Sequence, residues 1–275
     1  MPIFILPFPV IDPVLIEIGP LPIRWYALAY IAGLVLGWWL ARRIAAQDSF
    51  WGARIRPAIE SLDDLLVYAA LGVVLGGRLG YVLFYNPTYF LAHPASIPAV
   101  WEGGMSFHGG LAGATLGIWL FARREKVPML SVADLCAAVV PLGIFFGRLA
   151  NFIKPELWGR VSDVDWAMVF PEPLAGPFPR HPSQLYEAAS EGVLLFILLQ
   201  MALRMGALKR PGLATGIFGL GYGVARIGCE FFREPDPQLG FLFGGATMGM
   251  LLSLPLVLAG LAFIAHALRH KEVGA

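Results

Sequence analysis

Apolar residues run along this chain in blocks of about 20, long enough for a helix to cross a hydrocarbon core about 30 Å thick. The blocks fall at roughly 23–42, 64–85, 105–122, 132–152, 185–204, 212–232 and 244–268. They predict an all-α integral membrane protein with seven transmembrane helices in a single domain spanning residues 1–275. The sixth block is the least hydrophobic, because Arg226 and Glu230 lie inside it. Residues 1–22, apolar and interrupted by proline, read as an interfacial arm leading into the first helix.

The polar positions between the blocks set the orientation. Basic residues gather in alternate connections: Arg42, Arg43, Arg54 and Arg56, then Arg123, Arg124 and Lys126, then Arg204, Lys209 and Arg210, and Arg269 with Lys271 in the tail. The connection 86–104 has none, and no Lys or Arg precedes Arg24. Cytoplasmic loops carry the excess of Lys and Arg, so the N-terminus is expected outside and the C-terminus in the cytoplasm. On that orientation residues 153–184, rich in proline and acidic residues, form an outer loop or head. Glycines recur at four-residue spacing, as in Gly33/Gly37, Gly72/Gly76/Gly80, Gly109/Gly113/Gly117 and Gly219/Gly223. Small residues so spaced let membrane helices approach closely. The absence of an obvious internal repeat gives no support to an inverted-repeat transporter.

Composition agrees. The chain is 57% hydrophobic and 14% charged, against about 25% charged in soluble domains. A net charge of +1 and the lack of basic, aromatic-interleaved stretches set nucleic acid aside. Cys136 and Cys229 lie in apolar blocks and read as buried hydrophobes. Five scattered histidines give no metal-ligand spacing, so neither a metal nor an organic cofactor is implied. The N-terminus lacks the basic region of a cleaved signal peptide.

The ionisable residues within the blocks carry the candidate chemistry. Counting from the predicted outer helix ends, Arg78 lies roughly 10 Å deep, Arg148 roughly 6 Å, Arg226 roughly 9 Å and His108 roughly 5 Å. All four therefore fall in the outer half of the membrane. The bland alternative is snorkelling, in which arginines near helix ends only reach for headgroups. A shared depth on four helices instead predicts a cationic pocket for a phosphate, which at this level belongs to a phospholipid. Tyr222, Arg226, Glu230 and Arg233 are spaced to share one helical face, and Arg226 can pair with Glu230. His108, flanked by glycines, is either a satisfied structural residue or a proton acceptor near neutral pH. Asn151 either caps its helix or contacts a glycerol or phosphate oxygen. Glu156 follows at the start of the outer loop, "HPSQLYE" reads as the start of the fifth helix, and Tyr26 is a belt aromatic or a site residue. A transporter or flippase for an anionic lipid is the rival reading; it would need polar positions continuing toward the cytoplasm, where these helices are nearly all Gly, Ala, Leu and Val.

"GRLANFIKPELWG" resembles the G-R-x-x-N-F-x-N-x-E-x-x-G signature of prolipoprotein diacylglyceryl transferases. "SFHGGLAGA", "GGRLGYVLFY", "HPSQLYEA" and "YGVARIGCEFFREPDPQLGF" are similar to further blocks of that family, in the same order along nearly the whole chain. One position departs: Lys154, followed by Pro155, stands where the signature has its second asparagine. The resemblance implies a multi-pass enzyme of the bacterial cytoplasmic (inner) membrane, its site facing the outer leaflet. It would move the diacylglyceryl group of phosphatidylglycerol to the thiol of a prolipoprotein lipobox cysteine, releasing glycerol phosphate. It also implies His108, Arg148, Asn151, Glu156, Gly159, Tyr222, Arg226 and Glu230 as residues tied to activity, with Tyr26 beside them. On that pattern His108 is the expected base, Arg148 and Arg226 hold the phosphodiester, and Arg78 adds a second-rank headgroup contact. Asn151, Tyr222, Glu156, Gly159 and Tyr26 complete the lipid site, with Glu230 holding Arg226.

Overall fold

The computed structural model describes residues 6–9, 11–19, 21–235 and 240–269. Lys271 of the basic tail, residues 236–239 of the last quoted block and residues 1–5, 10 and 20 of the arm lie outside the described residues. The arm contributes a short antiparallel hairpin, β1 (Val14–Ile18) and β2 (Leu21–Arg24). It runs directly into α1 (Trp25–Ala46), followed by α2 (Leu62–Phe84), α3 (Phe107–Arg124), α4 (Met129–Ile153), α5 (Ser183–Arg204), α6 (Leu213–Glu230) and α7 (Met248–Arg269). Five of these helices, α1, α2, α4, α5 and α7, are long and apolar enough to cross a membrane by length and composition. The other two, α3 and α6, are 18 residues each. Arg123 and Arg124 end α3, Arg226 and Glu230 sit in α6, and glycine is frequent in both, so polar groups dilute the apolar signal there. The seven-span expectation thus meets five spans of full apolar character and two shorter helices packed among them.

Glycine decides how these helices pair. α2 lies along α3 so closely that a Cβ on Gly72 would fall on the Gly113 carbonyl, and one on Gly113 would fall on the Gly72 carbonyl. α6 and α7 meet in the same way through Gly216, Gly219 and Gly260, while α1 meets α4 where Gly33 faces Gly143. Backbone-to-backbone contact of this kind supplies dispersion where no aqueous hydrophobic effect assists association.

Two apolar clusters close the two ends. At one end Trp51, Leu62, Phe121, Leu135, Leu199 and Leu208 pack where α1, α3 and α5 finish and α2, α4 and α6 begin. Asp134, fully buried there, pairs with Arg54 at 2.8 Å and accepts from Gly212 N, Thr215 N and Thr215 Oγ1 at 2.7–2.8 Å. A carboxylate on α4 thereby caps the N-terminus of α6. At the other end residues 153–184 fold back over Phe152, Phe170 and Ala175, with Phe8 of the arm packed against them. Single bridges of Gly159 to Arg233 and of Val161 and Met168 to Arg180 hold this cover together.

Candidate active site

A groove of about 620 Å³ runs between α1, α2 and α4. Its walls are Tyr30, Leu34 and Trp38 from α1, Leu66 and Val73 from α2, and Val139, Gly143 and Ile144 from α4. Arg148, Asn151 and Tyr222 lie at one end. From Leu135 to Asn151 it follows α4 for about 24 Å. An apolar trough with a polar head suits an amphipathic molecule with a hydrocarbon chain and a charged group.

The polar end is held by α5. This helix begins where Ser183 Oγ donates to Leu157 O at 3.1 Å and Gln184 Nε2 donates to Glu156 O at 2.6 Å. It then widens into a π-helical turn over Ala188–Leu194, a distortion frequent at functional sites. Glu187, just before this turn, and Glu191, within it, are both fully buried and face α4 and α6. Arg148 reaches Glu187 at 3.3 Å and donates from Nη2 to Glu191 at 3.1 Å. Arg226 pairs with Glu187 through Nη1 and with Glu230 through Nη2. Arg233 stands 3.3 Å from Glu187, and Thr247 Oγ1 donates to Glu230 at 2.6 Å. Gly249 leaves room for this, since a Cβ there would lie 2.5 Å from Glu230 Oε1. Among the described residues three guanidiniums therefore meet three carboxylates, so the pocket expected to be cationic holds as many carboxylates as arginines. Sequence reasoning missed Glu187 and Glu191, although two carboxylates four apart in an apolar block carry the same signal that flagged the arginines.

Asn151 is buried, and its Nδ2 donates to Glu156 Oε1 at 2.7 Å. Lys154 Nζ reaches Glu156 Oε2 at 2.8 Å and lies over the Tyr26 ring, 5.4 Å from its centroid. The residue that departs from the family signature thus secures Glu156, whose carboxylate holds Asn151. Tyr26 exchanges a hydrogen bond with Tyr30 at 3.3 Å, and it is Tyr30 that lines the groove. Gly159 N donates to His181 O at 2.9 Å. A Cβ at Gly159 would lie 2.5–2.6 Å from His181 and Phe232 atoms, so the position needs glycine for the crossing of two chain segments.

Two expected members of the cluster stand apart. Arg78 is 5% exposed, with its guanidinium spent on carbonyls: Nε on Ile97 at 2.7 Å, Nη2 on Ser96 at 2.6 Å, and Nη1 on Gly103 and Gly104 at 2.5 and 3.3 Å. It folds the 86–104 connection onto α2 and lies outside the groove lining. Equal depth along separate helices said nothing about which faces converge. His108 is exposed at the start of α3, in a cleft with Phe84, Tyr85 and Ser106, while its neighbour Phe107 lines the groove. In the outer cover, Trp166 Nε1 donates to Tyr186 OH at 2.6 Å, and that hydroxyl lies 3.0 Å from His181 Nδ1. Burial pushes the His181 imidazole below the usual histidine pKa.

A helical protein of membrane type, with buried arginines and carboxylates at the head of an apolar groove, belongs among proteins that handle anionic amphiphiles. More narrowly, the chain is a member of the prolipoprotein diacylglyceryl transferase family, whose model matches residues 13–266. It is 68% identical to the phosphatidylglycerol–prolipoprotein diacylglyceryl transferase of Methylocella silvestris over 272 residues, covering 99% of each chain. It is 64% identical to the protein of the same name from Beijerinckia indica, over 98% of each. With the Rhodopseudomonas palustris protein of that name it shares 57% over 95% of this chain and 91% of the other.

Proposed function

We infer that this enzyme transfers the diacylglyceryl group of phosphatidylglycerol to the thiol of a lipobox cysteine in a prolipoprotein, the first step of lipoprotein maturation. The observation that carries the reading is an apolar groove ending on a guanidinium, Arg148, that remains 17% exposed. The acyl chains lie along α1, α2 and α4, and the phosphodiester meets Arg148. Asn151 and Tyr222 orient the headgroup from the same end of the groove. Glu230 and Glu187 fix Arg226, which through the shared Glu187 holds the frame that keeps Arg148 at the groove end as charge grows on the departing phosphate. Glu156, Gly159 and Tyr26 act on the lipid through Asn151, through the outer cover and through Tyr30. Arg78 serves the site by holding the 86–104 connection.

In the reaction the thiol S–H bond breaks and a bond forms from sulfur to the glyceryl carbon. The bond from that carbon to the phosphate oxygen breaks, releasing glycerol phosphate. The thiol, with an ordinary pKa of about 8.5, needs a proton acceptor near neutral pH. A lipobox peptide in the cleft beside Phe84 and Tyr85 presents its thiol to His108. The alternation of basic connections supports seven crossings with the N-terminus outside, and on that reading the site faces the outer leaflet of the bacterial inner membrane. A lipid transporter needs a polar path to the other side, whereas the far end of the groove is lined by Ala41, Leu62, Leu65 and Leu135.

The test is a transfer assay in micelles with phosphatidylglycerol and a lipobox peptide. The expected products are a thioether-linked diacylglyceryl peptide and glycerol phosphate in equal amounts. Well-folded protein that binds the lipid and yields neither product overturns the reading.

A further inference from the structure

The two groove-end arginines are held very differently. Arg226 has each Nη engaged, one by Glu187 and the other by Glu230. Arg148, the guanidinium that lines the groove, has one hydrogen bond, to Glu191 at 3.1 Å, and a 3.3 Å ion contact with Glu187. The carboxylates differ too. Glu187 reaches Arg148, Arg226 and Arg233, so moving it would disturb three cations at once. Glu230 is locked by Arg226 and by Thr247 Oγ1. Glu191 hydrogen-bonds Arg148 alone; its Oε1 is buried with no hydrogen-bond partner, 3.9 Å from Arg226 Nη1.

Resting on the reading of this site as the seat of a lipid phosphate, we propose that Glu191 is an internal stand-in for that phosphate. It occupies Arg148 in the empty enzyme, is displaced when the lipid arrives, and takes up one proton as it is displaced.

Charge compensation drives the last step. Among the described residues, Arg148, Arg226 and Arg233 face Glu187, Glu191 and Glu230 before the lipid binds. A phosphodiester adds one negative charge to a buried site, and an uncompensated buried carboxylate neutralises itself by binding a proton. Among the described residues the groups facing Glu191 are Arg148 from α4, Glu187 from its own helix, and Arg226, Tyr222 and Cys229 from α6. Arg226 is already committed to Glu187 and Glu230. The device keeps Arg148 extended toward the groove in the empty enzyme without a bare buried cation. It also makes the enzyme favour lipids that carry an anion able to replace the carboxylate.

The proton gives the inference a signature that a purely structural glutamate lacks. If the bound state holds one more proton than the free state, lipid affinity rises as pH falls, by up to about tenfold per pH unit. The experiment measures phosphatidylglycerol binding to the full chain in micelles from about pH 5 to pH 8. Arg148→Ala, Glu191→Gln and a diacylglycerol that lacks phosphate run in parallel. Wild type should bind phosphatidylglycerol more tightly at low pH, and diacylglycerol equally at every pH. Glu191→Gln removes the competing anion and should bind phosphatidylglycerol about tenfold more tightly at pH 8, with a flat pH profile. A flat profile in the wild type overturns the proposal, whether or not the variant folds. So does weaker binding by a Glu191→Gln protein whose thermal midpoint matches wild type. Phosphatidylglycerol affinity unchanged in Arg148→Ala would instead remove the phosphate seat itself, and with it the functional reading on which the proposal rests.

Discussion

Arg78 and Arg148 are both arginines at membrane depth, and their partners separate them. Arg78 donates to four carbonyls and Arg148 to a single carboxylate at the mouth of a groove. Replacing Arg78 by Met strands those carbonyls, so a loss of about 2–3 kcal/mol is expected. Thermal unfolding in detergent checks this, and lysine should not restore the midpoint, because one ammonium cannot span three directions. Arg148→Ala strands the buried Glu191, so it should lower the midpoint, and at a temperature where the variant stays folded it should cut kcat/KM about 100-fold or more, read in the transfer assay. The sequence made the arginines, Asn151 and Tyr222 legible, because charge and amide in an apolar block stand out. Helix depth alone put Arg78 and Arg148 at one level, and only the family resemblance ranked Arg78 second, since depth along a helix is readable and the direction of a side chain between helices is not. Glu187 was hidden within a run that reads as a helix start, and Glu191 followed it unnoticed.

At the scale of elements, glycine does two jobs that spacing alone cannot separate. Gly113 is pressed backbone to backbone against Gly72 and Gly76, so Gly113→Val should prevent α2 from lying on α3. Loss of folded protein on size-exclusion chromatography is the expected result. Gly143 faces open space in the groove wall. Gly143→Leu should therefore fold, with an unchanged midpoint, and raise KM for long-chain phosphatidylglycerol several-fold as the side chain enters the trough. The four-residue glycine pattern was visible in the sequence, but which glycines touch a backbone depends on the pairing of helices. The π turn at Ala188–Leu194 had no sequence mark either, because one extra residue in a helical turn changes no composition.

At the scale of the whole molecule, α4 and α6 are joined twice, by Asp134 at one end and by Glu187 and Glu191 at the other. Asp134 and Arg148 are fourteen residues apart on α4, about 21 Å, and Gly212 and Arg226 are separated by the same interval. The Asp134 knot thus sets the axial register that brings Arg148 and Arg226 to one level. Asp134→Ala should cost about 3–5 kcal/mol, because it leaves Arg54 buried and unpaired and uncaps α6. A lowered thermal midpoint, with lipid binding weakened although the residue lies far from the groove end, would check this. The blocks, their order and the helical class were readable from apolar run length. The register between helices was not, because it is fixed by Asp134 meeting backbone amides 78 and 81 residues away. The central claim is that a lipid phosphate sits on Arg148 with its chains along α1, α2 and α4. An experimental structure of the enzyme with phosphatidylglycerol tests it most directly. The phosphate should lie within hydrogen-bond distance of Arg148, with density for an acyl chain beside Val139 and Gly143. Phosphatidylglycerol bound elsewhere, with Arg148 still on Glu191 and the groove empty of chain density, would contradict the account.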